Sequence, residues 1–563
     1  MILYIQMCGI FAFLDINCYS GNGKLWDKVK QYFNKGVNRG PEDSRIYLDY
    51  KKNIFMGFHR LAINGFGRTE SAQPLTKEGC TLICNGEIYN WQILSSLAKV
   101  ECVSGSDCEI IIHLYKKYGI VQTLQMLDGV FAFILYDRSL GKIIVGRDTY
   151  GVRPLFMSTV KKKGITNILQ RVFSSELKML YPLCRDDMLD DFNTQIKQFP
   201  PGHYMCFSAE DYNAVPISFS APNSFSNLTE HTPLIRIRDS LISAVEKRII
   251  NTDRDITCLL SGGLDSSLIT GLVVKLCKEK LNREASSIHT WSIGMNGSED
   301  LKYAKIVADY LGTIHHSIEL EESEFLNAIP EVIYAIESDD TTTVRASVGN
   351  WLISKYIKEN SDAKVVFNGD GSDEVCGGYM YFHAAPDPIA FDQECRRLLN
   401  DIHYFDVLRS DRSISSHGLE ARTPFLDRSF VQNYLSLPCE LRCHNSNNKC
   451  EKYLLREAFA PLQLIPDEVL WRTKEAFSDG VSKQTRSWFE VIQDFASTLY
   501  KDKSGLEAEK TYYSDIYKKY YGETICAPYK WMPKFVDATD ASARTLNIYK
   551  KKKKEVQTTR IFN

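Results

Sequence analysis

Over residues 8–207 the apolar positions come in short alternating stretches broken by turn residues. Phe131-Ala132-Phe133-Ile134-Leu135-Tyr136 and Lys142-Ile143-Ile144-Val145-Gly146 read as strands. Thr81-Leu82-Ile83-Cys84 is a third, running into Asn85-Gly86, a dipeptide that predicts a turn. This half predicts a sheet-rich unit with a few helices. Residues 208–232 change to Ser, Asn and Pro, no period persists, and the stretch predicts a linker. From about 233 strands alternate with helices. Ile256-Thr257-Cys258-Leu259-Leu260 is an apolar run ended by Ser-Gly-Gly, after which Leu268, Ile269, Leu272, Val273 and Leu276 recur at helical spacing. That is the strand–loop–helix unit of an α/β domain with a parallel sheet, here spanning 233–549. Lys364-Val365-Val366-Phe367 repeats the theme ahead of Asn368-Gly369-Asp370-Gly371. Five lysines, Lys550 to Lys554, open a basic tail over 550–563 and predict a solvated end.

Composition narrows the class. A chain of 563 residues is too long for one core and predicts at least two domains. A net charge of -2 gives no bulk drive toward nucleic acid or a membrane surface. No apolar run approaches the roughly 20 residues of a membrane helix. The opening Met1-Ile2-Leu3-Tyr4-Ile5-Gln6 lacks the basic region of a signal peptide. The sixteen cysteines are scattered without a paired array, so they read as buried reduced thiols of a cytoplasmic protein.

Ser261-Gly262-Gly263-Leu264-Asp265-Ser266-Ser267 is the strongest chemical signal. It sits where a strand ends and a helix begins, where free N–H groups and the helix dipole favour an anion. The glycines let the backbone approach a pyrophosphate, and Asp265 is a hard oxygen ligand suited to the Mg²⁺ that travels with ATP. There is no GxxxxGK[ST] loop; the motif resembles the PP-loop of ATP pyrophosphatases, which implies cleavage between the α and β phosphates. Asn368-Gly369-Asp370-Gly371-Ser372-Asp373-Glu374 reads as the other wall, with Asp373 as a second metal ligand and Lys474 as a candidate cation for the phosphates.

Met7-Cys8-Gly9-Ile10-Phe11 carries the second signal. With Met7 removed, the α-amino group of Cys8, with a reference pKa near ~8, can serve as base for its own thiol. The thiolate then attacks the side-chain amide of glutamine. Asn85 and Gly86 offer donors for the oxyanion, Arg60 a planar fork for the substrate carboxylate, and Glu87 and Asp107 negative charge for its ammonium.

Over nearly its whole length the chain resembles the glutamine-hydrolysing asparagine synthetases. The resemblance rests on Cys8-Gly9-Ile10, Arg39-Gly40-Pro41, His59-Arg60-Leu61-Ala62-Ile63, Asn85-Gly86-Glu87-Ile88-Tyr89-Asn90 and Gly105-Ser106-Asp107. In the second half it rests on Leu260 through Ser267, Thr341-Thr342-Thr343-Val344-Arg345-Ala346-Ser347, Gly371-Ser372-Asp373-Glu374 and Lys474-Glu475-Ala476-Phe477-Ser478. It implies an N-terminal Ntn-hydrolase αββα sandwich followed by a parallel-sheet adenine-nucleotide α-hydrolase-like (PP-loop) domain, with ammonia passing between two sites. It implies glutamine contacts from Arg60, Ile63, Asn64, Asn85, Gly86, Glu87 and Asp107. It implies ATP contacts from Leu260, Ser261, Gly262, Gly263, Asp265, Ser266, Ile293, Asn368, Gly369 and Lys474. Asp370 would face the aspartyl-adenylate, and Arg345 would help shape the aspartate site. The partners it implies are glutamine, aspartate and ATP, and it is compatible with a homodimer. Three features depart from the family's pattern: seven residues precede Cys8, Asp370 replaces Glu, and Asn368 replaces Ser. A β-lactam synthetase-like relative would lack Cys8. A phosphoribosyl-transferring or sugar-isomerising amidotransferase would lack the Ser-Gly-Gly-Leu-Asp-Ser-Ser loop.

Overall fold

In the strand Gly9–Leu14 every residue is buried, so both of its faces must be covered. Successive side chains point to opposite faces. Ile10, Ala12 and Leu14 join Met56, Phe58, Ile83, Ile134, Val145 and Met205 in a core between two sheets. Phe11 and Phe13 face the other way, against Val29 and Phe33 of the helix Gly23–Asn34 and against Leu177 and Met179. The second sheet repeats the device. Leu82, Cys84, Phe131, Phe133 and Leu135 pack under Leu94 and Ala98 of the helix Trp91–Ala98 and under Ile110, Ile111 and Leu114 of Ile110–Met126. Helix, sheet, sheet, helix is the αββα sandwich that the family resemblance implies.

The computed structural model describes residues 8–14, 23–162, 170–184, 192–208, 213–220, 232–446, 449–483, 485–525 and 527–550. Expectations for residues 1–7, most of the 208–232 linker and most of the basic tail lie outside these. The first sheet runs Phe192–Gln198, Phe156–Lys162, Gln170–Ser174, Gly9–Leu14, Ile54–Arg60, Asp43–Asp49, all antiparallel. The second runs Ile217–Ser218, His203–Ser208, Lys142–Arg147, Gly129–Asp137, Cys80–Ile88, Leu75–Lys77.

Two expectations differ from this. Asn85-Gly86 makes no turn: the strand Cys80–Ile88 continues through it, paired residue for residue with Gly129–Asp137. A Cβ at Gly86 would lie 2.2 Å from the carbonyl oxygen of Val130, so glycine here permits close strand contact. Within the expected linker, Ile217–Ser218 adds a short strand to the second sheet. Arg171 anchors the preceding stretch by donating to the Ala214 carbonyl at 2.7 Å.

The third sheet is wholly parallel, in the order Ile314–Leu320, His289–Met295, Ile256–Leu259, Val365–Phe367, Glu420–Arg422. Helices cover both faces. Ile256 and Cys258 pack with Ile237, Leu241, Leu268 and Leu272, while Trp291, Ile293 and Val366 pack with Ile333, Val344 and Val348. Strand order reverses between Ile256–Leu259 and Val365–Phe367, and a crevice opens at such a point beyond the carboxyl ends of the strands. No helix among the described residues is long and apolar enough to cross a membrane.

The two units meet across buried ions. Arg39 Nη1 lies 2.8 Å from Asp411 Oδ2, and Arg153 lies 3.4 Å from Asp411 and 3.0 Å from Glu420. Glu337 accepts the backbone N–H groups of Leu177 and Lys178 at 2.8 and 2.9 Å. Truncating Asp411 strands two buried guanidinium groups. Asp411→Ala is therefore expected to cost about 3–5 kcal/mol, read as an earlier urea midpoint. Truncating Arg486, whose partner Glu322 is about as exposed as itself, should cost less than about 1 kcal/mol. Equal shifts for the two variants would refute this ranking.

Candidate functional site

Cys8 enters the strand Gly9–Leu14 beside the loop that follows Ile54–Arg60. Its thiol donates to the Leu61 carbonyl at 3.3 Å and its sulfur accepts the Leu61 N–H at 3.4 Å. Burial pushes the thiol well up, and the Leu61 N–H opposes this only in part. Attack therefore needs a base close to the sulfur. Arg39 Nε donates to the Cys8 carbonyl at 3.0 Å and fixes the backbone there.

Asn85 is almost fully buried, and its Nδ2 has no hydrogen-bond partner among the described residues. A buried amide donor without a partner is costly unless something transient uses it. Asn64 Nδ2 and Asn251 Nδ2 donate to Glu87 Oε2 at 2.5 and 2.9 Å, and Arg422 lies 3.5 Å from the same oxygen. Burial, then the charges of Asp107 and Glu420, raise the Glu87 carboxyl well above the usual range. Asp107 accepts the Ile88 N–H at 2.6 Å, and burial pushes it up to about 6 against that bond. Arg60 donates to the Gly65 carbonyl at 2.9 Å and to the Ser71 hydroxyl, and makes no ion pair among the described residues. Ile63 is buried, and its carbonyl accepts the Asp253 N–H at 2.9 Å across the domain seam. All seven residues expected at glutamine lie in this unit. Glu87 is turned toward Asn251 and Arg422 of the other.

The second cleft opens at the reversal of strand order. It is lined by Leu260, Ser261, Gly263, Asp265, Ser266, Ile293, Asn368, Gly369, Asp370, Asp373 and Lys474, together with Thr342 and Thr343. Gly262 is the exception among the residues expected at ATP. At φ +71° it makes the turn, and a Cβ would lie 2.4 Å from the Ala304 nitrogen. The helix Leu264–Leu281 starts directly after, with Asp265 in its first turn. A Cβ on Gly369 would lie 2.8 Å from Asp265 Cβ and the Ser266 nitrogen, so its absence lets the two loops interlock. Asp265 accepts from the Ser372 hydroxyl at 2.8 Å.

Two lysines join the carboxylates. Lys474 Nζ donates to Asp373 at 2.6 Å, and Lys452 Nζ lies 2.7 Å from Asp265 and 2.6 Å from Asp373. Burial works to raise the Asp373 carboxyl, but the two ammonium groups outweigh it and hold it low. Burial likewise works to lower the Lys474 ammonium, and Asp373 and Asp265 outweigh it. Asp265 and Asp373 thus aim at one point beside the phosphate loop. Two carboxylates plus phosphate oxygens suit Mg²⁺. Asp370 accepts from Arg409 at 3.0 Å through Oδ1, while its Oδ2 is buried without a hydrogen-bond partner among the described residues. Asn368 donates to the Ser410 hydroxyl at 2.8 Å.

Arg345 is not brought to this cleft. Its guanidinium binds Glu509 at 2.7 and 2.6 Å and Asp540 at 2.7 and 2.9 Å, tying down the helix Gly505–Tyr521. From Arg345's own helix Thr342, Thr343, Ala346 and Asn350 face the cleft instead, a stripe at helical spacing with Arg345 off its edge. Residues that sequence reasoning did not single out also matter. Arg472 donates to the Gly262 carbonyl at 3.0 Å, lies 3.2 Å from Asp300 and stacks 4.0 Å from the Tyr303 ring. Lys452 and Arg409 complete the charge balance. Single lysines and arginines in a chain with 68 of them carry no local signal.

The comparisons with known proteins agree with this geometry. The family model described as asparagine synthase matches residues 236–389 and 385–537, and that of the glutamine amidotransferase domain matches 7–216. An asparagine synthetase [glutamine-hydrolyzing] of Cricetulus griseus is 41% identical over 586 aligned residues, covering 97% of this chain and 99% of that protein. The proteins of the same name from Gallus gallus and Homo sapiens are each 40% identical, again over 97% of this chain and 99% of theirs. With both units matched in order and the likeness running nearly end to end, the chain belongs to the glutamine-hydrolysing asparagine synthetase family.

Proposed function

We propose that the chain makes L-asparagine from L-aspartate and ATP with ammonia released from L-glutamine, giving glutamate, AMP and pyrophosphate. Residues 8–207 act as the glutaminase and 233–549 as the synthetase, joined by 208–232. The observation that carries the reading is the interlocked pair of loops at the strand-order reversal, holding Asp265, Asp373 and Lys474 together. The many buried free thiols, such as Cys84, Cys258 and Cys395, support a reducing, cytoplasmic setting.

In the first unit the α-amine of Cys8, once freed, takes the thiol proton, and sulfur attacks the glutamine amide carbon. The oxyanion accepts the unpartnered Asn85 Nδ2–H and the Gly86 N–H. Ammonia leaves, and water releases glutamate from the thioester. Arg60 takes the substrate carboxylate and Asp107 its ammonium. In the second unit the β-carboxylate of aspartate attacks the α-phosphorus, with Lys474 against the phosphates, and pyrophosphate departs. Ammonia then attacks the acyl carbon of β-aspartyl-AMP. Asp370 Oδ2, buried without a hydrogen-bond partner among the described residues, would accept the proton that nitrogen must lose as AMP leaves. Mg²⁺, held by Asp265 and Asp373, would neutralise charge on the departing pyrophosphate.

The deciding test is asparagine formation by the purified chain from aspartate and Mg-ATP, with glutamine or with ammonium as nitrogen source. Product from neither would sink the proposal. Cys8→Ala is expected to abolish glutamine-dependent synthesis and keep the ammonium-dependent reaction; loss of both would refute the division of labour. In the active wild type, mass spectrometry should find Cys8 as the first residue. A pH limb follows from Asp107. Its carboxyl, raised to about 6 by burial, is charged above that pH and neutral below it. KM for glutamine should therefore climb as pH falls through about 6. Asp107→Asn should raise KM at pH ~8 and flatten the limb, and a limb unchanged in that variant would rule Asp107 out as its source.

A further inference from the structure

Lys452 is buried to 1% side-chain exposure, yet it carries an ammonium between the two nucleotide loops. Its nitrogen donates to Asp265 Oδ2 at 2.7 Å and to the Ser372 hydroxyl at 3.2 Å, and it pairs in charge with Asp373 Oδ1 at 2.6 Å. These are the same two carboxylates that suit a divalent cation. The fold takes trouble to keep the lysine there. Lys452 adopts φ +58° at the start of the helix Tyr453–Phe459, a left-handed conformation that is unfavourable for a residue with a Cβ. Its neighbour Glu451 locks that turn, accepting the Lys474 N–H and Arg456 Nη2 at 2.8 Å each. Gly378 leaves room for the stem: a Cβ there would lie 1.9 Å from Lys452 Cε.

We propose that Lys452 is a resident counter-cation, which fills the place that Asp265 and Asp373 offer to a metal and gives it up only when nucleotide phosphates arrive. The inference rests on the reading of these aspartates as metal ligands. The charge balance drives it. Asp265 and Asp373 contribute two negative charges and Lys452 and Lys474 two positive ones, so these four side chains balance one another before nucleotide arrives. A free divalent ion would meet two ammonium groups in a dry site, where like charges repel strongly. ATP brings the negative charge that admits the metal and gives the displaced ammonium new oxygen partners. Lys452 is a positioning residue here: it keeps both carboxylates aimed at one point while the metal is away. It makes metal binding conditional on nucleotide.

Mn²⁺ binding to the full-length chain, followed by electron paramagnetic resonance, tests this without turnover. Titrations are run with no nucleotide and with an α,β-methylene analogue of ATP. Wild-type chain should bind Mn²⁺ weakly alone and tightly with the analogue. Lys452→Gln should bind Mn²⁺ without nucleotide about tenfold or more tighter than wild type. Lys452→Met, which keeps an unbranched stem and removes only the ammonium, should move the same way and decides the matter if Lys452→Gln does not fold. Nucleotide-free affinity unchanged in both variants, with analogue-dependent binding intact, would overturn the counter-cation role and leave the metal reading standing. Analogue-dependent binding unaffected by Asp265→Asn would overturn the metal reading itself.

Discussion

Charge buried at the seam between the two units governs everything else in this molecule. Arg39, Arg153, Arg412 and Arg422 are all but fully shielded from water. Each such ion is costly unless a partner and further hydrogen bonds surround it. The partners come from the opposite unit or from elements packed on the seam: Asp411 for Arg39, Asp411 and Glu420 for Arg153, Glu337 for Arg412. The two units therefore have one low-energy arrangement, set by where the guanidinium groups find carboxylates. The helix Asp406–Ser415 shows what that fixes. Its Asp411 holds Arg39, which holds the Cys8 carbonyl, while its Arg409 and Ser410 hold Asp370 and Asn368 of the nucleotide loop. A single element thus reaches, through Arg39, the backbone of Cys8 and, directly, the wall of the second cleft.

The sites themselves are built by close backbone approach. Gly86 lies against Val130 and Gly369 against Asp265 and Ser266, in contacts a methyl group would break. Both leave polar atoms aimed but unpartnered, Asn85 Nδ2 in the first site and Asp370 Oδ2 in the second. A buried group in that state is destabilising in the resting chain. Reaction geometry is the natural use for it, since charge or a proton appears there only during turnover. The shortened Asp370 side chain still reaches Arg409, so the residue keeps a fixed position despite having one methylene fewer than Glu.

Much of this was legible from the residues in order. The apolar strand Gly129–Asp137, the Ser-Gly-Gly loop after Ile256–Leu259 and the acidic loop after Val365–Phe367 announce their elements through local rules, alternation, helix period and glycine at a tight approach. Asn85-Gly86 shows where local rules stop. The dipeptide favours a turn in isolation, but nine residues of pairing with Gly129–Asp137 carry the strand straight through it.

By itself the sequence determined the family, the class of each unit and the motifs that mark the two clefts, because those depend on neighbours in the chain. Tertiary structure alone decided the remaining assignments. It sent Arg345 to Glu509 and Asp540, 164 and 195 residues away, instead of to the substrate. It turned Glu87 toward Asn251 and Arg422, and it placed Lys452 between Asp265 and Asp373. The physical reason is the same in each case. A charged side chain leaves water only for a partner, and which partner it finds is set by how distant segments pack, which no local pattern records.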